Sequence, residues 1–120
     1  MHGLKKEIDL SFLNGRELIQ VAVGFYQTIF RFDEDLAISV EGEFRYFDGQ
    51  TEWIWRPEPG SSLIAARTVA LLGAAIESLE SNTNGTLALT FANGQRLTLA
   101  DSSREYESYQ ITRPGATIVV

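Results

Sequence analysis

The 120-residue chain contains no cysteine and a single histidine. The first absence removes disulfides, thiolate nucleophiles and every cysteine-ligated metal site. The second leaves only His2, at a chain end where neither a metal site nor a general base is expected to be held in place. Zinc and copper sites, Ser-His-Asp triads and Cys-His pairs all need residues that are missing here. Basic residues are scarce too, with ten Lys and Arg against sixteen Asp and Glu and a net charge of −6. Nucleic acid and anionic membrane surfaces are recognised through basic patches, so neither is expected as the main partner. Long apolar runs are also missing: Arg67, Thr68 and Glu77 interrupt the longest ones well short of the ~18 residues a spanning helix needs. Lys5 and Lys6 are not followed by the apolar segment of a secretory signal, and a cytoplasmic location is expected. No glycine-rich phosphate loop of either standard pattern occurs, and no cofactor is expected.

Aromatic residues, by contrast, are plentiful, with seven phenylalanines, four tyrosines and two tryptophans to fill a core. The length suits one domain, residues 1–120. Alternation marks the strands. Leu18-Ile19-Gln20-Val21-Ala22-Val23 reads as a strand. Gly24-Phe25 turns it into a second, Tyr26 to Phe32, in which Tyr26, Thr28, Phe30 and Phe32 share a face. After the acidic turn Asp33-Glu34-Asp35, the residues Leu36, Ile38 and Val40 alternate with wetter neighbours, and Phe44 and Tyr46 continue that buried register. Asp48-Gly49 predicts a hairpin into Thr51 to Arg56.

Pro57-Glu58-Pro59-Gly60 ends this region, and Ser61 or Ser62 is placed to cap a helix over about 62–72 that packs on a sheet. Ala74 to Ser81 suits helix or strand by local propensity, and Gly73 favours a break before it. Asn84-Gly85 and Asn93-Gly94 predict hairpin turns, with strands at Thr86 to Phe91 and Gln95 to Ala100. Tyr106 to Thr112 and Ala116 to Val120 complete the list of strands. The result is an α+β domain of two antiparallel β-meanders, about 16–56 and 74–120, connected by the helix.

The halves share an order of residues. Leu13-Asn14-Gly15, Leu18, Val21, Phe30-Arg31-Phe32 and Leu36-Ala37-Ile38 correspond to Leu71-Leu72-Gly73, Ile76, Leu79, Leu89-Thr90-Phe91 and Leu97-Thr98-Leu99. The offset drifts from 58 residues at the glycines to 61 at the last strand. Two explanations stand open: an internal duplication, or the common constraints of any two meanders with one wet face. The pattern Gly85-Thr86-Leu87-Ala88-Leu89-Thr90-Phe91, Asn93-Gly94, Leu97-Thr98-Leu99 and Tyr106-Glu107-Ser108-Tyr109 resembles a family of small, functionally uncharacterised bacterial proteins. That resemblance implies an α+β fold and carries no catalytic residue across. In size, charge and fold class the chain is also similar to bacterial immunity proteins, which cover a partner toxin; this second likeness is an analogy.

Candidate chemistry is confined to carboxylates and aromatics. Asp33, Glu34 and Asp35 are oxygen donors of the kind calcium or magnesium takes, but their spacing is not that of an EF-hand and a solvated turn explains them as well. No metal site is assigned. Tyr106, Glu107 and Tyr109 could form a small-ligand or enzymatic site, against which stands an ordinary structural carboxylate between two tyrosines. No catalytic residue is assigned. Trp53 and Trp55 share a strand face that suits either core packing or recognition. The stretch from Asp33 to Glu58 concentrates acidic residues, and Asp33, Glu34, Asp35, Glu41 and Glu43 are the candidate partner-binding residues of an acidic face for a basic protein. The competing explanation is that this charge only confers solubility. Exposed strand edges make a homodimer a further expectation, and a purely structural homo-oligomer subunit stands as a third reading of the function.

Overall fold

The computed structural model describes residues 9–82, 84–100 and 108–120. Among these, ten strands pair antiparallel throughout and build two five-stranded sheets. In chain order they are β1 (Leu18–Val23), β2 (Thr28–Phe32), β3 (Leu36–Val40), β4 (Phe44–Phe47) and β5 (Glu52–Trp55), then β6 (Ile76–Ser81), β7 (Leu87–Phe91), β8 (Arg96–Leu99), β9 (Tyr109–Arg113) and β10 (Ala116–Val119). Helix α1 (Ser62–Arg67) runs into a 3-10 turn, Thr68–Leu71, between β5 and β6.

The first sheet has the order β1-β2-β3-β9-β10 and the second β5-β4-β8-β7-β6. The expected meander over 16–56 therefore splits after β3. Its hairpin β4–β5 crosses to the other sheet and pairs with β8, while β9–β10 crosses back and pairs with β3. Each sheet is a three-stranded meander from one half of the chain completed by a hairpin from the other. The crossing point is Glu41-Gly42-Glu43, where the Glu41 and Gly42 amides both donate to the Ser108 carbonyl at 2.9 and 2.8 Å. A Cβ on Gly42 would stand 3.2 Å from Ser108 Cα, so a side chain here would push the crossing strands apart.

Period-two alternation puts Phe30, Phe32, Ile38, Val40, Tyr109 and Ile111 of the first sheet in the core. They face Phe44, Tyr46, Trp55, Leu87, Leu89, Phe91, Leu97 and Leu99 of the second. Between the sheets, Phe30 meets Phe44 edge to face with ring centroids 5.4 Å apart, and Phe32 stacks over Phe91 at 6.5 Å. Phe44 also stacks on Trp55 at 5.1 Å. Aromatic pairs in such geometries contribute ~0.5–1.5 kcal/mol beyond the area they bury. Trp55 is thus a core residue, whereas Trp53 is half-buried and covered by the Arg67 guanidinium from α1, 3.8 Å above its ring.

The segment left open between helix and strand is strand β6, after Gly73 breaks the 3-10 turn with φ +85°. Gly15 has φ +81° before β1. The two breaks exchange bonds: Gly15 N–H donates to Ile76 O and Gly73 N–H to Leu18 O, both at 2.8 Å. Leu18 N–H donates to Ala74 O at 3.1 Å and Ile76 N–H to Arg16 O at 2.9 Å. Each of β1 and β6 then carries a one-residue register shift, between Leu18 and Gln20 and between Ile76 and Ser78. Strand pairing also revises one alignment read from the sequence. Ile38 lies opposite Phe30 as Leu97 lies opposite Leu89, so Leu97 corresponds to Ile38 rather than to Leu36.

Candidate protein-binding surface

Strand β1 is an edge of the first sheet, and the loop after it was expected to lead straight into a strand beginning at Tyr26. Instead β2 begins at Thr28, and residues 24–27 form the tip of the hairpin. Gly24 N–H closes the tip on Gln27 O at 2.7 Å, and a Cβ on Gly24 would stand only 2.9 Å from that oxygen. The tight closure forces Phe25 and Tyr26 outward. Their rings meet edge to face, 4.6 Å apart, and are 57% and 62% exposed. With Ala22, Val23 and Ile29 they line a shallow, mainly apolar hollow of about 370 Å³. Ile19, further along the same edge strand, is exposed as well.

A single exposed aromatic is ordinary on a protein surface, but a pair in ring contact on a hairpin tip at the end of an edge strand is not needed by the core. Tyrosine and phenylalanine lose little rotamer entropy on binding and supply large contact areas. The sequence signal was present in Gly24-Phe25-Tyr26, a glycine followed by two aromatics. Alternation through Thr28, Phe30 and Phe32 concealed it, because Tyr26 happens to keep the buried parity.

The five acidic candidates do not form one face. Asp33, Glu34 and Asp35 make the β2–β3 turn, with Glu34 and Asp35 at φ +60° and +55°, backbone conformations that side chains other than those of Gly, Asn and Asp seldom adopt. Asp33 Oδ1 accepts from the Glu17 amide at 3.2 Å, and Arg16 Nη1 stands 3.7 Å from Asp33 and 3.8 Å from Glu34. Strand β3, five residues or ~17 Å of extended chain, separates this turn from Glu41. Glu43 is only 18% exposed and sits between Arg45 Nε at 3.4 Å and Arg56 Nε at 3.1 Å, while Arg45 also reaches Glu52 at 3.2 Å. That network raises the already high pKa of Arg45, chiefly through its bond to Glu52 and then through Glu43.

Asp35, in the turn, and Glu41 are the two candidates left without an ion pair among the described residues, and Glu41 is the one near the tip. It follows Val40, which lies opposite Thr28, so it belongs to the same end of the sheet as the aromatic tip. Its side chain has no ion-pair partner among the described residues.

Tyr106 and Glu107 lie outside the described residues. Tyr109, third member of that candidate site, is buried in the core, and its hydroxyl donates to Gly85 O at 2.6 Å. Among the described residues no cluster of three or more His, Asp or Glu is placed to hold a metal ion, the Asp33-Glu34-Asp35 turn included. No described helix is long and apolar enough to cross a membrane.

A model of the family described as "Family of unknown function (DUF6188)" matches residues 10–120. No curated protein and no solved structure matches the chain.

Proposed function

The chain belongs to the DUF6188 family, whose function is unknown, and within it we propose a cytoplasmic, single-domain, non-enzymatic module that binds a basic protein. The observation that carries this reading is the exposed Phe25–Tyr26 pair on the tight β1–β2 tip. An aromatic anchor of this kind contributes ~1.5–3 kcal/mol per ring when a partner covers it. Charge selects the partner. The chain carries a net −6, and Glu41, at the same end of the sheet as the tip, has no ion-pair partner among the described residues. The Asp33-Glu34-Asp35 turn adds to the long-range field that steers a basic protein in, without touching it, whereas Glu43 is held between two arginines. A bacterial, immunity-like inhibitor that covers a basic toxin is one protein of this description.

The exchanged glycine bonds, the matched register shifts and the reciprocal hairpins support internal duplication as the origin of the fold. The aromatic tip has no counterpart in the second half, where the β6–β7 connection carries Asn82, Thr83, Asn84 and Gly85. Function on this reading is a property of one half.

Capture from a lysate of the source organism tests it, using the wild-type chain and a Phe25→Ala/Tyr26→Ala variant with the same melting temperature. A basic protein held by the wild type, released by high salt and not held by the variant is the expected result. Capture of the same protein by both would refute the tip as the binding surface. Homodimerisation through the β1 edge, read by sedimentation and lost in the same variant, would reassign the surface to a second copy of the chain.

A further inference from the structure

A second cleft, of about 520 Å³ and mixed polar and apolar lining, opens where the tip of the β4–β5 hairpin faces the end of α1. Tyr46, Asp48, Gly49 and Gln50 form one wall, Arg67 and Ala70 the other, and Gln95 of the β7–β8 turn lies between them. The hydrogen bonds inside it decide what it can accept. Asp48 Oδ1 already accepts from the Gln50 and Thr51 amides at 2.9 and 2.8 Å, and Oδ2 from the Trp53 indole N–H at 3.1 Å. Its carboxylate is therefore engaged by the protein. The Tyr46 hydroxyl donates to Gln95 Oε1 at 2.6 Å, which leaves the Gln95 side-chain N–H groups as donors. The Arg67 guanidinium stands 3.8 Å above the Trp53 ring and makes no hydrogen bond or salt bridge to a described residue, so its N–H groups are free to donate.

Arg67 and the Gln95 amide are thus free donors, and a ligand that engages both must bring the acceptors. The charge of the site narrows this further. One guanidinium and one carboxylate share the cleft, so Asp48 opposes any anion that Arg67 attracts and the two largely offset each other; the chain's net charge of −6 then opposes a phosphate dianion about twice as strongly as a monoanion. A planar carboxylate matches the fork of a guanidinium with two parallel N–H···O bonds.

Comparison of the two sheets shows that core packing does not require this arrangement. Gln95 follows Phe91 as Leu36 follows Phe32, and Tyr46 pairs with Leu97 as Ile111 pairs with Ile38. At the same strand positions the first sheet has two buried aliphatic side chains, Leu36 and Ile111. The second sheet has a hydroxyl–amide pair facing an open cleft. We propose that this cleft binds a small monocarboxylic acid, its carboxylate held by Arg67 and the Gln95 amide and its body lying against Ala70 and Gly49. The site is separate from the aromatic tip and stands or falls without it.

Amide and side-chain NMR of the full chain, titrated with benzoate, acetate and inorganic phosphate at constant ionic strength, tests the proposal. Saturable shifts of the Gln95 side-chain amide and the Trp53 indole N–H are expected with a monocarboxylate. They should weaken at least about tenfold in Arg67→Gln, and likewise in Gln95→Leu, which imitates the first sheet and so keeps a foldable packing. Phosphate should bind more weakly than benzoate. The proposal is overturned by the absence of saturable shifts up to about 50 mM of either acid. Equal affinity in both variants, or tighter binding of phosphate, would also overturn it.

Discussion

Replacing Phe44 by alanine puts the two-sheet architecture under the most direct stress. Phe44 is fully buried at the first position after the crossing point, touching Phe30 across the sheets and Trp55 within its own. Loss of a buried phenylalanine side chain costs ~3–5 kcal/mol in transfer and cavity terms. The upper part of that range is expected here, because two aromatic partners lose their ring contacts at once and strands on both sheets limit collapse of the void. A chain of this size is typically stable by about 6–15 kcal/mol, so the variant should still fold. With a urea dependence of about 2 kcal/mol per molar, the unfolding midpoint should fall by about 2 M. Equilibrium urea denaturation followed by tryptophan emission reads this directly, since buried Trp55 is the neighbour of the deleted ring. Phe25→Ala serves as the contrast: its ring is mostly exposed and its removal should change stability by less than about 0.5 kcal/mol. A Phe44→Ala loss below about 1 kcal/mol, or a Phe25→Ala loss of equal size, would refute the assignment of one ring to the core and the other to a surface.

Tyr109→Phe should cost about 1–2 kcal/mol in the same assay, because the buried Gly85 carbonyl loses its 2.6 Å donor. Gly73→Ala should cost ~1–2 kcal/mol although nothing lies within 4 Å of the new Cβ, since φ +85° is the whole objection to it. Asp48 has its carboxyl held below the usual aspartate range, first by the Thr51 amide, then by the Trp53 indole and the Gln50 amide. The stability contributed by this depressed pKa is present above the unfolded aspartate value and is lost as pH falls through the folded one. The Trp53 indole N–H resonance should therefore stay constant through the usual aspartate range and move only below it, and a midpoint at or above pH ~3.9 would contradict the hydrogen bonding.

Much of the fold was legible because local chemistry and tertiary structure agree. Asp48-Gly49 and Asn93-Gly94 are turns whose side chains accept from the amides two residues on, as expected of hairpin tips. The β7 and β8 strands follow from their alternation, and the helix from the alanine-rich run before Gly73, although it gives way to a 3-10 turn after Arg67 and no serine side chain caps it. The crossing of β4 and β9 between sheets was not legible. A three-residue link such as Glu41-Gly42-Glu43 serves equally well to bend a strand within its sheet or to carry it to the facing one, and the carbonyl that receives its amides belongs to Ser108, distant in sequence. The acidic candidates failed as a single face for a related reason. They are neighbours in sequence, but β3 stands between Asp35 and Glu41, and arginines from β4 and beyond β5 neutralise Glu43. Tyr26 was misplaced because parity along a strand says nothing about where the strand begins, whereas the Gly24–Gln27 closure does.

The central claim is that the β1–β2 tip is the surface a basic protein partner covers. Hydrogen–deuterium exchange of the chain, alone and saturated with the protein it captures, tests this most directly, since it reports the covered region without any substitution. Slowed exchange concentrated in residues 18–29 and at Glu41, with the Asp33–Asp35 turn unaffected, is the result the account expects. Protection confined to that turn or to the outer face of the second sheet, with residues 18–29 unchanged, would contradict it.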